Sequence, residues 1–303
     1  MIYLFVFSCT ESSPTNFEPF DFVEETPFIK PIDASLLQPT ELAIHGEYLW
    51  LIDKESFMVH QYDAMGNSIA SFEFSTAPEH MISNENVLFV STEKEVFQYD
   101  SDSWYSVVNT DNPINALGIY EDLPAYVINY ENNSEVYIDS QIFEIEITQD
   151  AIYQDGEHWY FINKNDKQLA EIIFDDTLQS AETSILHNFE DIPHKVTSYN
   201  DDFFVTTRSF RWPYAGWIVG LREDNGTLIE KRIGETPPEP EHILYYDNYV
   251  YWSSKQSLTR INQEGGSYEM VAPQTTIGDL IYFKDAIWWT DTKGGRLFRF
   301  DSF

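Results

Sequence analysis

Five short segments carry a polar residue just behind a proline: PTELA (39–43), PEHMI (78–82), NPINAL (112–117), IPHKV (192–196) and PEHIL (240–244). The polar residues are Glu41, His80, Asn115, His194 and His242. Three imidazoles and a carboxylate converging on one axis could hold a divalent metal or supply a general base near neutral pH. The competing assignment is structural, with histidines at strand starts capping backbone groups or filling a polar funnel. His80, His194 and His242 fall in the second, fifth and sixth of the units described below, so reach toward one ion is a demanding condition.

A second stretch, RSFRWPYAGW (208–217), packs two arginines and four aromatics into ten residues. Arg208, Phe210, Arg211, Trp212, Tyr214 and Trp217 are the side-chain types that dominate binding hot spots. They offer large rigid area and forked donors to a protein partner. Aromatic faces and Arg would also suit carbohydrate. The alternative is that Phe210 and Trp217 fold back on their own strands.

Both features sit in a chain of repeats. A short apolar strand recurs as YLWLID (48–53), VLFVST (87–92), AYVINY (125–130), HWYFIN (158–163), DFFVTT (202–207), YVYWSS (249–254) and AIWWTD (286–291). Counted from Trp50 through Phe89, Val127, Tyr160, Phe204, Tyr251 and Trp288, the intervals are 39, 38, 33, 44, 47 and 37 residues. A weaker strand and a turn precede each copy. Most copies are followed by a strand ending in an apolar residue and an acid, such as QYD (61–63) or RFD (299–301), and then by an outer strand. Met65-Gly66 and Asn225-Gly226 carry hairpin-turn chemistry. Four short antiparallel strands per unit predict an all-β fold, a β-propeller of seven four-stranded blades. Residues 25–33, ETPFIKPID, are expected to supply the outermost strand of the last blade and close the ring. In such a ring the segments leading into the inner strands and the connections between second and third strands open on one face. The polar residues behind the prolines and the 208–217 stretch would therefore share it.

The chain opens with an apolar run that ends at Cys9, the only cysteine among 303 residues. A lone cysteine excludes an internal disulfide, a thiolate metal cluster and a redox pair. Met1–Cys9 resembles the end of a bacterial lipoprotein signal peptide, with Val6 three before the cysteine and Ser8 just before it. Phe7 and the lack of Lys or Arg ahead of the run depart from that pattern. The resemblance implies lipidation of Cys9, cleavage before it and a lipid-anchored envelope protein, the only membrane attachment expected. Thr10 stands where an Asp would favour inner-membrane retention, which points to the outer membrane. The alternative is a buried structural cysteine. The expected organisation is a signal peptide over 1–8, lipidated Cys9 with a Ser/Pro/acid tether over 9–24, and the propeller over 25–303. A tether of about 15 residues reaches roughly 50 Å at most.

A formal charge of −34 opposes binding to a phosphate backbone, so no nucleic acid is expected. Residues 1–200 hold 36 acids and 6 bases, against 15 and 11 in residues 201–303, and all seven arginines lie at or after Arg208. One sector of the ring would thus be strongly acidic and another nearly neutral. Catalytic signatures such as GxSxG, a P-loop, HExxH, a dinucleotide fingerprint and a full EF-hand loop are absent from the sequence. DSDSW (100–104) alternates acids but lacks the glycine and distal glutamate of a calcium loop, and reads as a solvated turn.

The repeat pattern over residues 25–303 resembles the bacterial propellers that include NHL-repeat, YncE-like and virginiamycin B lyase-like proteins. That likeness implies fold, and fold does not fix function. The favoured expectation is a non-enzymatic binding or scaffold module of a bacterial cell-envelope complex, with an envelope or outer-membrane protein as partner and no cofactor. The alternative is a metal-assisted lyase or lactonase with a divalent ion at Glu41, His80, His194 and His242, since related propellers use axial histidines.

Overall fold

The computed structural model describes residues 29–130, 133–139, 141–145, 152–155, 158–175, 180–200, 202–208, 216–224, 227–236, 241–254, 257–273 and 275–301. These residues form seven four-stranded antiparallel sheets, the blades of a β-propeller. Blade one comprises Pro39–His45, Tyr48–Asp53, Met58–Tyr62 and Ser68–Glu73, from the inner to the outer strand. Blade two comprises His80–Ser83, Leu88–Ser91, Glu95–Asp100 and Ser103–Asn109. Blade three comprises Ala116–Tyr120, Leu123–Asn129, Ser134–Ile138 and Gln141–Ile145. Blade four comprises Ile152–Asp155, His158–Asn163, Gln168–Phe174 and Ala181–Asn188. Blade five has the longest strands, Ile192–Tyr199, Asp202–Arg208, Gly216–Asp224 and Thr227–Thr236. Blade six comprises Ile243–Tyr246, Tyr249–Ser254, Ser257–Asn262 and Glu269–Pro273. Blade seven takes Ile277–Phe283, Ala286–Asp291 and Arg296–Asp301 from the end of the chain, and Pro31–Asp33 from near its start.

The last pairing is the expected ring closure. Pro31 lies opposite Phe298 and Asp33 opposite Leu297, so the early segment is the outermost strand of the final blade. Residues 25–28 of the predicted closing strand, together with the leader, Cys9 and the tether, lie outside the described residues. Side-chain bonds between blades seven and one fasten the seam as well. Tyr62 donates its hydroxyl to Asp33 Oδ2 at 2.8 Å, Arg299 Nη1 to the Ala64 carbonyl at 2.8 Å, and Lys284 Nζ to Glu47 at 2.6 Å.

Second strands are buried on both faces, which is why they read as unbroken apolar runs. Ala286–Asp291 is buried along its whole length, and Trp50, Trp159, Trp288 and Trp289 are wholly inaccessible. Outer strands alternate between exposed and half-buried, as in Ser68–Glu73. The apolar clusters lie between blades: one joins blades three and four through Val127, Phe143 and Trp159, and another joins seven and one through Trp288, Leu297 and Leu51. Each of the seven blade interfaces holds one such cluster. No sheet buries its faces alone, so the ring is the folding unit.

Turns follow the local chemistry. Glu121-Asp122 (φ 46° and 63°), Asp247-Asn248 (49° and 65°) and Ser101-Asp102 (47° and 67°) are two-residue turns with both φ positive, the geometry that matches strand twist. Ser101-Asp102 is the centre of DSDSW, confirming that stretch as an exposed turn. Gly66 takes φ 85° in the Met65-Gly66 turn, and Asn225-Gly226 lies outside the described residues.

Candidate functional site

The strand register defines one equivalent position per blade, one residue before the inner-strand residue paired beside the middle of the second strand. In blade one Leu42 pairs with Leu51, so the position is Glu41. In blade two Met81 pairs with Val90, giving His80; in blade seven Leu280 pairs with Trp289, giving Asp279. The same count gives Asn115, Lys195 and His242 in blades three, five and six. These residues occupy corresponding places at the channel end of each inner strand.

Four of the five residues singled out in the sequence thus fall in place, and His194 does not. A bulge between Pro193 and Lys195 sets His194 off the register and puts Lys195 at the equivalent position. Counting two residues beyond each proline would have found Lys195, since that rule gives Glu41, His80, Asn115, Lys195 and His242 alike. Asp279 follows Gly278 with no proline before it, so the proline pattern could not reveal it. The register also shifts one repeat marker. Asn129 starts the same five-residue step across the connection to the third strand that Asp53 and Asp291 start, which makes Tyr126, not Val127, the partner of Trp50 and Trp288.

The two carboxylates join neighbouring blades. Asp279 Oδ2 accepts the Leu42 N–H at 2.8 Å across the blade seven–one seam. Glu41 Oε2 accepts the Met81 N–H at 2.7 Å across the blade one–two seam. Glu41 Oε1 also receives His80 Nδ1 at 3.0 Å. Burial opposes a charged His80 ring, but the bond and charge of Glu41 outweigh it and raise the imidazole above its ordinary pKa. His242 behaves oppositely. Burial, with Lys195 adding repulsion, drives it down to about 3, so at neutral pH it is uncharged. Its Nδ1 lies 3.7 Å from Asp279 Oδ1, a contact between a neutral ring and a carboxyl group rather than an ion pair. Asp279 itself is pushed up to about 7. Burial is the main cause and Glu41 adds to it, while the Leu42 and Leu280 N–H groups and Lys195 act in the other direction. Both side chains stay about a quarter accessible, 24% for His242 and 28% for Asp279, because they line an opening while protein surrounds them.

The chemistry is therefore that of a mixed polar ring: a hydrogen-bonded His80–Glu41 pair, a neutral His242, an Asp279 shared between blades, and Lys195, whose amine burial holds below its ordinary pKa. Among the described residues no group of three or more His, Cys, Asp and Glu side chains is placed to hold a metal. His194 has interactions of its own.

The second feature opens on the same face. Asp53, at the end of the second strand of blade one, accepts the N–H groups of Leu37 and Gln38 at 3.0 and 2.6 Å, which ties the strand connection to the lead-in segment. Asp291 does the same for Thr276 in blade seven at 3.1 Å. In blade five the connection runs over residues 209–215, seven residues against two to four in the other blades. Phe210, Arg211, Trp212 and Tyr214 lie outside the described residues. Arg208 ends the second strand opposite Gly216. Trp217 is half-buried in the third strand against the blade four–five cluster, with the Arg232 guanidinium 4.7 Å above its ring. On the opposite face a cavity of about 480 Å³ is lined by Asn84, Glu85, Asn86, Glu121 and Asp122.

Protein families yield no match to this chain, and neither do curated protein sequences. Similar folds are found among solved structures. BamB from Moraxella catarrhalis aligns with a TM-score of 0.55 at 12% identity, covering 87% of this chain and 83% of that one. A chain of the S. cerevisiae structure of Dbp5 bound to Nup159 and Gle1 aligns at 0.58 and 10% identity, covering 89% and 92%. The gluconolactonase XC5397 from Xanthomonas campestris aligns at 0.50 and 9% identity, covering 89% and 87%. At such identities the shared property is the propeller fold.

Proposed function

We propose that this chain is a lipid-anchored β-propeller that acts as a binding or scaffold module in a bacterial cell envelope, and that it holds a protein partner through the blade-five connection. The observation that carries this reading is the length of the connection 209–215, seven residues where the other blades have two to four. It contains Phe210, Arg211, Trp212 and Tyr214 in the part of the sequence nearest to neutral. Large rigid aromatics and Arg beside a strongly acidic remainder suit a contact in which a few anchors carry the affinity.

Two further points favour binding over catalysis. The carboxylates of the channel ring are already engaged in blade-to-blade hydrogen bonds. A propeller of similar fold was solved in an assembly with other proteins, Dbp5 bound to Nup159. Cys9 would supply the anchor, and the outer membrane is its proposed address.

The test is a pull-down of tagged, Cys9-intact protein from mildly solubilised native membranes, with Arg211→Ala/Trp212→Ala run in parallel. A stoichiometric protein that is lost in the double variant is the expected result. A partner retained by the double variant, or a glycan bound in place of a protein, would overturn the assignment.

A further inference from the structure

We propose that the cavity between blades two and three is a binding site for a short alkyl polyamine, with its ammonium groups on Glu85, Glu121 and Asp122 and its carbon chain on Ile82 and Ile119. The cavity opens on the face opposite the blade-five connection, so the site does not depend on the partner proposed there.

Its volume, about 480 Å³, falls within the usual range of small-molecule sites. Two turns frame it: residues 84–87 join the first and second strands of blade two, and Glu121-Asp122 join those of blade three. Ile82 and Ile119, from the two inner strands, supply the apolar part of the wall, and Gln154 lines it from blade four.

The hydrogen bonds of the wall decide what it can accept. Asn84 Nδ2 donates to Asp122 Oδ1 at 2.8 Å, and Asn86 Nδ2 to Asp122 Oδ2 at 2.9 Å, so the carboxylate is clamped from both sides. The Ser83 hydroxyl donates to the Ile44 carbonyl. Gln154 accepts the Ile119 N–H at 2.8 Å and donates to the carbonyl of the same residue. Each side-chain donor group of the wall thus has a partner within the protein. The acceptors are in surplus: Glu85 and Glu121 are exposed and carry no hydrogen bond or ion pair among the described residues, and a clamped carboxylate keeps lone pairs free. A cavity with spent donors and spare acceptors is complementary to a ligand that only donates, as an ammonium does.

The spacing of the acids selects the kind of cation. Among the described residues no three carboxylates or imidazoles are grouped closely enough to hold one metal ion. Charges set apart along a flexible chain can meet separated carboxylates, and the methylenes between them cover apolar wall while the charged ends stay at the rim. The rest of the face strengthens the attraction. Its equivalent turns carry Glu47, Asp247 and Asp285, and the one cation among the described turn residues, Lys284, is held by Glu47 at 2.6 Å. A concave site surrounded by one sign of charge concentrates the opposite ion.

The experiment is isothermal titration of the full chain with spermidine at physiological salt. One saturable site is expected, weakened about tenfold or more in Glu85→Gln/Glu121→Gln, since both charge-assisted contacts are lost. Glu73→Gln/Glu182→Gln removes the same charge from the exposed outer strands of blades one and four and should leave the affinity unchanged. Absence of saturable binding by the wild-type protein would overturn the proposal. Equal weakening in the two double variants would do the same, by reducing the effect to attraction by net charge. Magnesium that displaces spermidine at equal concentration would show that the acids take any cation and that the apolar wall plays no part, which also overturns it. The side-chain amide resonances of Asn84 and Asn86 in the wild-type protein must move along the same saturation curve. If they stay still while the heat saturates, the polyamine binds elsewhere and the assignment fails.

Discussion

Asp279 of blade seven accepts the backbone N–H of Leu42 in blade one at 2.8 Å, and Glu41, the residue before Leu42, does the same for Met81 of blade two at 2.7 Å. At these two seams a carboxylate thus reads the next blade's backbone. Glu41 stands in the sequence as a candidate ligand, and its geometry, like that of Asp279, makes it a fastener.

Removing the first fastener should weaken the closure. Asp279→Ala leaves the Leu42 N–H without its acceptor beside a polar opening, at a cost of about 1–3 kcal/mol. Urea unfolding should show a lower midpoint with an unchanged slope. An unaltered midpoint would mean that water replaces the carboxylate without loss.

The same residue predicts a pH dependence. Burial, and secondarily Glu41, push the Asp279 carboxyl up to about 7, whereas an unfolded Asp titrates near about 3.9. Between those values the native protein keeps a proton that the unfolded chain has released, so this group's contribution to stability falls as pH rises from about 4 to about 7. Relative to Asp279→Asn, the wild-type protein should therefore lose stability between pH 4.5 and 7.5. A difference that stays flat across that range would show that Asp279 titrates as an ordinary carboxyl group.

Tyr62 tests the outer part of the same seam. Its hydroxyl donates to Asp33, the last residue of the closing strand, at 2.8 Å. Tyr62→Phe keeps the buried ring and deletes that bond, at about 1.5–3 kcal/mol for a charged acceptor. Amide exchange should speed up selectively in residues 32–33 and 296–301. Uniform exchange across all blades would argue that the bond plays no part in closure.

Gly118 has no room for a side chain. A Cβ there would lie 2.1 Å from the ring of Trp159, which is wholly buried between blades three and four. Gly118→Ala should cost about 1–3 kcal/mol through overpacking, and Trp159 fluorescence should report the displaced ring. A neutral substitution would indicate that the indole can swing aside.

Cys9 carries the localisation proposal. Cys9→Ser should move the protein from the membrane fraction to the soluble fraction and remove labelling by a lipid precursor. Membrane retention without lipid labelling would leave the anchor proposal without support.

The fold was legible because repetition multiplies a weak signal. A run such as YVYWSS is ambiguous alone, but seven copies at similar intervals leave few architectures. The site was legible only where local chemistry marked it. Proline preceded Glu41, His80, Asn115 and His242 and flagged them. In IPHKV the histidine drew the eye from Lys195, although the two-residue step from the proline marks Lys195 as it marks the other four. Asp279 was invisible for a different reason: its lead-in uses Thr275, Thr276 and Gly278 instead of proline, and its role depends on a hydrogen bond to a residue 237 positions away. The displaced marker in blade three has a similar cause, since AYVINY runs one residue past the end of its strand at Asn129 whereas YLWLID ends with its strand at Asp53.

The closing strand has a mechanical consequence. Pro31–Asp33 is the outermost strand of its blade and only three residues long. Any pull on the chain ahead of it is delivered first to the Pro31–Phe298 and Asp33–Leu297 pairs, then to the Tyr62–Asp33 bond, before any complete blade bears load. If Cys9 fixes that end to a membrane, tension on a bound partner converges on this short strand. The propeller would then yield by unfastening at blade seven while the other six blades stayed folded, like a buckle designed to open ahead of the strap.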